Sequence, residues 1–189
     1  MLGGRLRREQ EKEFILYILF ILFTLLLSSC SNINHVIIKI DHDPSLVSKA
    51  LDISMSTINK EYLWGGNGPE YFDCSGLIVF SYQNSYNKIF IFNDGVNIVD
   101  DVNMDMIYRF NTRIIEDINE VIPGDIVFIT SDNMRITHGG LVISIKDDFV
   151  EFINASSHYN KVMIDKWHIK EMVRDQWIAG FGRMQYSRY

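Results

Sequence analysis

The sequence predicts an α+β domain in which N-terminal helices pack on a central antiparallel sheet. Two helix-like segments come first. In Ser45 to Lys60, residues Leu46, Val47, Ala50, Leu51, Ile53 and Ile58 mostly follow helical spacing, and Leu77 to Tyr82 is a second apolar run. From residue 126 onward the chain changes to short apolar runs, rich in β-branched and aromatic residues and separated by turn signals. Helices followed by successive strands, rather than alternating with them, indicate an antiparallel sheet. A content of 47% hydrophobic residues and only 3 prolines in 189 residues fits one packed core rather than a disordered chain.

Residues 1–29 read as a targeting segment, set aside from the fold. Arg5, Arg7, Arg8 and Lys12 give it a positive start, and Phe14 to Leu27 is an uncharged, almost wholly apolar run. That run is shorter than the ~20 residues a bilayer-spanning helix needs. Leu27-Ser28-Ser29-Cys30 resembles a bacterial lipobox, which implies that Cys30 is diacylated and becomes the mature N-terminus. A non-cleaved membrane anchor is the alternative, and either arrangement puts the remainder outside the cytoplasm. Residues 30–44 then form a short tether, with Val36-Ile37-Ile38 a candidate strand, and residues 45–189 the folded domain. No internal repeat or second domain is legible.

Within the tether, Asp41-His42-Asp43 has the composition of a metal site. The reading that better fits its position is a helix cap, with Asp43 at N-cap and Pro44 at N1. The formal charge is −6 with no basic block outside the leader, which disfavours nucleic acid as a partner. The 2 cysteines include no Cys-x-x-Cys, so no zinc ligand set is expected, and no cofactor is called for.

After the first helix comes Tyr62-Leu63-Trp64-Gly65-Gly66-Asn67-Gly68-Pro69, turn chemistry that permits positive φ and sharp reversals. It lacks the Gly-Lys-Ser/Thr ending of a phosphate loop. Phe72-Asp73-Cys74-Ser75-Gly76 then leads into the second helix, placing a thiol in its first turn. Unpaired N–H groups and the helix dipole there favour the thiolate, below the free-thiol pKa of roughly 8.5. With Cys30 lipidated, Cys74 is the sole remaining thiol, and an odd cysteine in an exported protein suggests a reactive one. The plainer alternative is a small buried residue.

Ser81 to Asn103 is polar around the aromatic patch Ile89 to Phe92 and reads as a long irregular connection, followed by a short helix in Asp101 to Phe110. Pro123-Gly124-Asp125 turns into the strand Ile126 to Ile129. His138 to Ile145, Phe149 to Ala155, Lys161 to Ile164 and Trp177 to Met184 are the further strands, with a turn at Lys146-Asp147-Asp148 and a helical segment at Lys166 to Asp175.

A cysteine nucleophile needs a base, and the base a group that holds its ring. Of the 5 histidines, His138 opens an otherwise apolar strand beside two glycines that leave room above the sheet. Residues 138 and 154 straddle the predicted turn at an even separation centred on Lys146, which places them on one face, directly or diagonally opposite. Asn154 can therefore accept the Nδ1 proton of His138 and leave Nε2 to face the thiol. His158, also at an even offset, and a purely structural Asn154 are the alternatives.

Tyr62-Leu63-Trp64-Gly65-Gly66, Phe72-Asp73-Cys74-Ser75-Gly76-Leu77, Pro123-Gly124-Asp125-Ile126-Val127-Phe128, His138-Gly139-Gly140-Leu141-Val142 and Asn154-Ala155-Ser156 resemble the successive motifs of the NlpC family of papain-like cell-wall peptidases. The resemblance runs from about Leu46 to Met184. It implies a papain-like fold and a bacterial endopeptidase cutting peptidoglycan stem peptides, typically between γ-D-glutamyl and a diamino acid. By it, Cys74 is the nucleophile, His138 the base and Asn154 the orienting group, where the family often has histidine. It further implies that Tyr62, Asp73 and Ser75 hold the free amino end of a stem peptide. The residues alone leave open an amidase or acyl transferase acting on other bonds, and a non-catalytic lipoprotein that binds wall peptides.

Overall fold

A computed structural model, which describes residues 17–18, 38–41, 43–86 and 92–188, places the long strands after the helices but also sets short strands before and between the helices. Contacts divide the chain into Met1–Val36 and Ile37–Tyr189, and the fold is that of the second unit. All of residues 1–29 except 17–18, together with Cys30, His35, His42 and the 89–91 part of the aromatic patch, lie outside the described residues.

Helix α1 (Pro44–Met55) begins as its sequence directs: Asp43 caps it through a 2.8 Å bond from the Ser45 N–H, and Pro44 occupies the first turn. Helix α2 (Cys74–Ser85) extends beyond the apolar run and is buried nearly all round, so it forms the centre of the domain rather than a surface helix. It packs on α1 and on strands β8 (His138–Lys146) and β9 (Phe149–Ser156).

Among the described residues the sheet has nine strands. Its order is β1 (Ile38–Asp41), β11 (Trp177–Arg188), β7 (Ile126–Thr130), β8, β9, β10 (Lys161–His168), β2 (Glu61–Tyr62) and β3 (Tyr71–Phe72), with β6 (Thr112–Ile115) pairing β11 off this path. Every pairing is antiparallel except β2 with β3. One face carries the main core, where Leu77, Ile78 and Tyr82 of α2 meet Leu141 and Ile153. The other carries a smaller cluster around Val142, Phe152 and Trp167.

Two segments differ from the sequence reading. Residues 166–175 are not helical: β10 continues to His168, and turns follow. Trp167 is buried against Phe152 while Ile164 and Lys166 stay exposed, a strand's alternation that four residues in isolation did not reveal. Residues 81–103 are not one irregular connection either. The start of the stretch belongs to α2, and Phe92–Asn93 (β4) pairs with Ile98–Val99 (β5) around an Asp94 side chain that accepts from the N–H groups of Val96 and Asn97 at 2.8 and 2.6 Å. Buried Asn111 ties this ribbon to the end of helix α3 (Met104–Phe110): its Oδ1 accepts from the Asn93 N–H at 2.7 Å and its Nδ2 donates to the Asn93 carbonyl at 2.8 Å.

The Pro123-Gly124-Asp125 turn is a junction. Asp125, 0% exposed, accepts from Arg183 Nε and Nη2, both at 2.9 Å, and from the Ile122 N–H at 2.8 Å. This bidentate pair fastens β11 to the entrance of β7. Gly124, at φ +95°, lies so close to the Val47 backbone that a Cβ would collide with its carbonyl oxygen, and its own carbonyl accepts from Tyr82 at 2.9 Å.

Candidate active site

The glycine-rich loop and the start of α2 are locked together, and the lock aims Cys74. Gly65 and Gly68 take φ near +75°, and the Asp73 N–H donates to the Gly66 carbonyl at 2.8 Å. That carbonyl also presses on Gly76, where any Cβ would clash with it, so glycine at 76 is what lets the loop lie against the helix's first turn. Asp73 completes the closure. Its Oδ1 caps the helix through Gly76 N–H at 2.7 Å and accepts from Ser75 Oγ at 2.9 Å, while Oδ2 accepts from Gly65 N–H at 2.8 Å.

Cys74 is free and half-buried, and its thiol points at the Thr137 carbonyl oxygen, 4.0 Å away, at the threshold of β8. Two cavities, of about 630 and 120 Å³, meet there: both are lined by Trp64, Cys74 and Thr137. The larger runs past Asp73, Ser75 and Asp101 toward Arg109 and Arg135. The smaller holds His138, Tyr62, His158, Asp165 and Arg174. The structure thus brings Tyr62, Asp73 and Ser75 around Cys74 but divides them between its two sides. Ser75 is buried, and Asp73 is engaged by three donors of its own chain.

His138 pairs with Ile129 across β7 and β8, and its Nε2 lies 3.1 Å from Oδ1 of Asn154, which is 0% exposed. The geometry differs from the sequence expectation in one atom. Nε2, not Nδ1, meets the carboxamide, so Nδ1 is the nitrogen left for the thiol. Asn154, and not His158, is the side chain at the ring. His158 stays exposed in the β9–β10 turn, its ring 4.7 Å from that of Tyr159.

The shared face of His138 and Asn154 depends on a bulge. Asp147 and Asp148 both have positive φ and form a two-residue hairpin turn, so Lys146 pairs with Phe149. Continued unbroken, that register would put residues 138 and 154 on opposite faces. A slip between Val142 and Ser144 inserts one residue, after which Leu141 pairs with Ile153 and His138 lies diagonal to Asn154 on the same face.

The electrostatics also depart from the sequence expectation. Burial first, and the Asp73 carboxylate second, push the Cys74 thiol up to about 12, against the N–H groups of Ser75 and Cys74, which favour the thiolate. Burial pulls His138 below the usual imidazole range, opposed by Asn154 and Asp165. Burial, with Cys74 and Asp73, raises Tyr62. Both shifts favour the neutral forms, thiol and imidazole, over the charged ones. Among the described residues no cluster of histidine, cysteine and acidic side chains is arranged to hold a metal ion.

A cysteine at the N-terminus of a central helix shares a cavity with a histidine that opens an antiparallel strand, and the fold is of the mixed α+β class. Residues 59–180 match the model of the NlpC/P60 family, and the chain belongs to that family. It is 31% identical over 127 residues to a protein of Listeria seeligeri named probable endopeptidase p60, and 32% identical over 127 residues to the Listeria monocytogenes protein of that name. These alignments cover 67% of this chain but only 20% and 22% of those proteins, so the chain spans about a fifth of the relatives' length. Among solved structures, NlpC1 of Trichomonas vaginalis superposes with a TM-score of 0.58 at 24% identity, covering 78% of this chain and 47% of that one. NlpC2 of the same organism gives 0.56 at 22% identity, covering 76% and 49%. Both share the fold.

Proposed function

We propose that the domain is a cysteine peptidase of the bacterial cell envelope, carried on a lipid at Cys30, that hydrolyses peptidoglycan stem peptides between γ-D-glutamyl and a diamino acid. The observation that carries this reading is the meeting of thiol, imidazole and carboxamide at a groove: Cys74 and His138 line one cavity, and Asn154 sits 3.1 Å behind the imidazole. Family membership and the Listeria relatives named as probable endopeptidases support the reaction class.

The substrate's carbonyl carbon approaches Sγ as Nδ1 of His138 removes the thiol proton, so the thiolate forms only as the S–C bond forms. The resulting oxyanion is held by the backbone N–H groups at the start of α2 that Asp73 does not cap, that of Cys74 among them. The imidazolium returns its proton to the leaving amine, the C–N bond breaks, and a thioester remains. His138 then deprotonates water, which attacks the thioester, and the thiol reforms as the acid departs. Asn154 accepts from Nε2–H throughout and holds the ring.

Charge in the groove suits this substrate. Arg174 is stacked over Tyr159, with its Cζ 4.7 Å from the ring centroid and Nη2 donating to the hydroxyl at 2.6 Å, and it lines the cavity of His138. A guanidinium held in place at that point fits the free α-carboxylate that a γ-D-glutamyl residue keeps when its side-chain carboxyl forms the amide. On the opposite side, Asp73 and Asp101 line the larger cavity and suit a protonated amino end. The test is digestion of defined muropeptides by the purified domain, with product masses read by mass spectrometry. Fragments ending in γ-D-glutamate support the assignment, and release of the intact stem peptide from sugar refutes it in favour of an amidase.

A further inference from the structure

The Asn154 carboxamide has a second partner that the triad does not use. Its Nδ2 donates to Asp165 Oδ2 at 3.1 Å, with the Met163 carbonyl at 3.4 Å. The register explains the contact. Asn154 pairs with Met163 across β9 and β10, and Asp165, two residues further along, is its diagonal neighbour on the same face. That face also carries Phe152 and Trp167, stacked edge to face.

An ionised carboxylate only accepts hydrogen bonds. With Asp165 and the Met163 carbonyl on one side, the buried amide has a single favourable orientation: NH2 toward the acceptors, oxygen toward His138. That oxygen in turn requires a proton on Nε2 of the imidazole, which leaves the lone pair on Nδ1. Three groups in series thus determine which nitrogen can act as base. We propose that Asp165 is a positioning residue of this site, setting the tautomer of His138 through Asn154. The inference rests on the reading of His138 as the base.

Its charge acts in the same direction. Asp165 favours the imidazolium, against burial and against the Arg174 guanidinium. Cys74, Tyr62 and His158 are the other titratable side chains lining that cavity. Because Asp165 touches Asn154 and not the thiol, its loss is expected to act on turnover rather than on substrate affinity.

The experiment compares the wild type with Asp165→Asn, Asp165→Glu and His138→Ala on a defined muropeptide across pH. Asparagine at 165 can donate as well as accept, so the Asn154 amide is free to invert. Asp165→Asn is expected to lower kcat by roughly 10- to 100-fold with KM little changed, as for other groups that orient a site ligand. Its acidic limb of kcat/KM moves to lower pH, since His138 loses a group that holds its pKa up. Asp165→Glu recovers part of the loss. Nitrogen-15 spectra of histidine-labelled protein read the tautomer directly, independent of turnover: protonated Nε2 in the wild type, a mixture in Asp165→Asn. A wild-type His138 protonated on Nδ1 overturns the proposal, as does an Asp165→Asn enzyme with unchanged kcat and acidic limb while His138→Ala is inactive. Undiminished turnover by His138→Ala would instead remove the underlying assignment of the base.

Discussion

The raised thiol pKa makes a prediction that separates this site from one that stores a thiolate–imidazolium pair. At pH 7 a thiol of pKa about 12 is ionised in roughly one molecule in 10⁵, whereas a free cysteine of pKa ~8.5 is ionised in about 3%. Alkylation of Cys74 by iodoacetamide at neutral pH should therefore run about three orders of magnitude slower than that of free cysteine. Its rate should climb about tenfold per pH unit with no plateau between roughly pH 5 and 9. Asp73→Asn probes the cause. Asparagine caps helices about as well as aspartate, so Gly76 keeps its acceptor while the charge that lifts the thiol pKa is removed, and only the bond from the Gly65 N–H to the second carboxylate oxygen is lost. Alkylation should then accelerate roughly 3- to 10-fold at fixed pH, the effect of a neighbouring charge at a partly exposed site. Intact-mass spectrometry follows the adduct, and circular dichroism checks the fold. A rate already maximal and flat from about pH 5 to 8 would refute the reasoning, because it would mean the thiolate is present before substrate arrives.

Three further outcomes follow from the packing and the groove. Arg183→Ala should destabilise the domain by about 3–5 kcal/mol in urea denaturation, because it leaves the fully buried Asp125 carboxylate without its bidentate partner. Tyr82→Phe should cost about 1–2 kcal/mol near neutral pH, by orphaning the Gly124 carbonyl. The same substitution should flatten the alkaline side of the stability profile. Burial raises the folded-state pKa of Tyr82, so its contribution is present below the unfolded value of ~10 and is lost as pH rises beyond it. Arg174→Ala should raise KM for stem peptides roughly 10-fold with little change in kcat, the loss of about one charged hydrogen bond, and an amidated substrate lacking the carboxylate should show no such difference.

What was legible in the sequence was what is local. Asp43-Pro44 specifies a helix start with its own side chain, Asp73 caps Cys74's helix from within the same turn, and the Asp147-Asp148 turn marks the hairpin between β8 and β9. Parity about Lys146 puts His138 and Asn154 on one face, but the hairpin is centred between residues 147 and 148. The bulge near Ile143 supplies the missing residue, and nothing in Leu141-Val142-Ile143-Ser144 announces it. The ring nitrogen that meets Asn154 is likewise set by how β8 crosses β9, which spacing does not encode. Residues 166–175 form no helix because Trp167 is held by Phe152, a partner fifteen residues away in the chain. The direction of the thiol's shift escapes the sequence for a related reason. The helix terminus is visible in the sequence, whereas the burial and the Asp73 charge that outweigh it emerge only when the loop closes over the helix. Asp165 carried no signal of its own, being one acidic residue in a strand of mixed polarity.

The central claim is that Cys74 performs the chemistry with His138 as its base. It is tested most directly by the rate of stem-peptide cleavage in Cys74→Ala and His138→Ala, each shown by circular dichroism to be folded. The account predicts a loss of at least about 10⁴-fold in both, with the double variant no worse than either, because the two side chains act as one unit. Cleavage by folded Cys74→Ala at a rate near that of the wild type would contradict it.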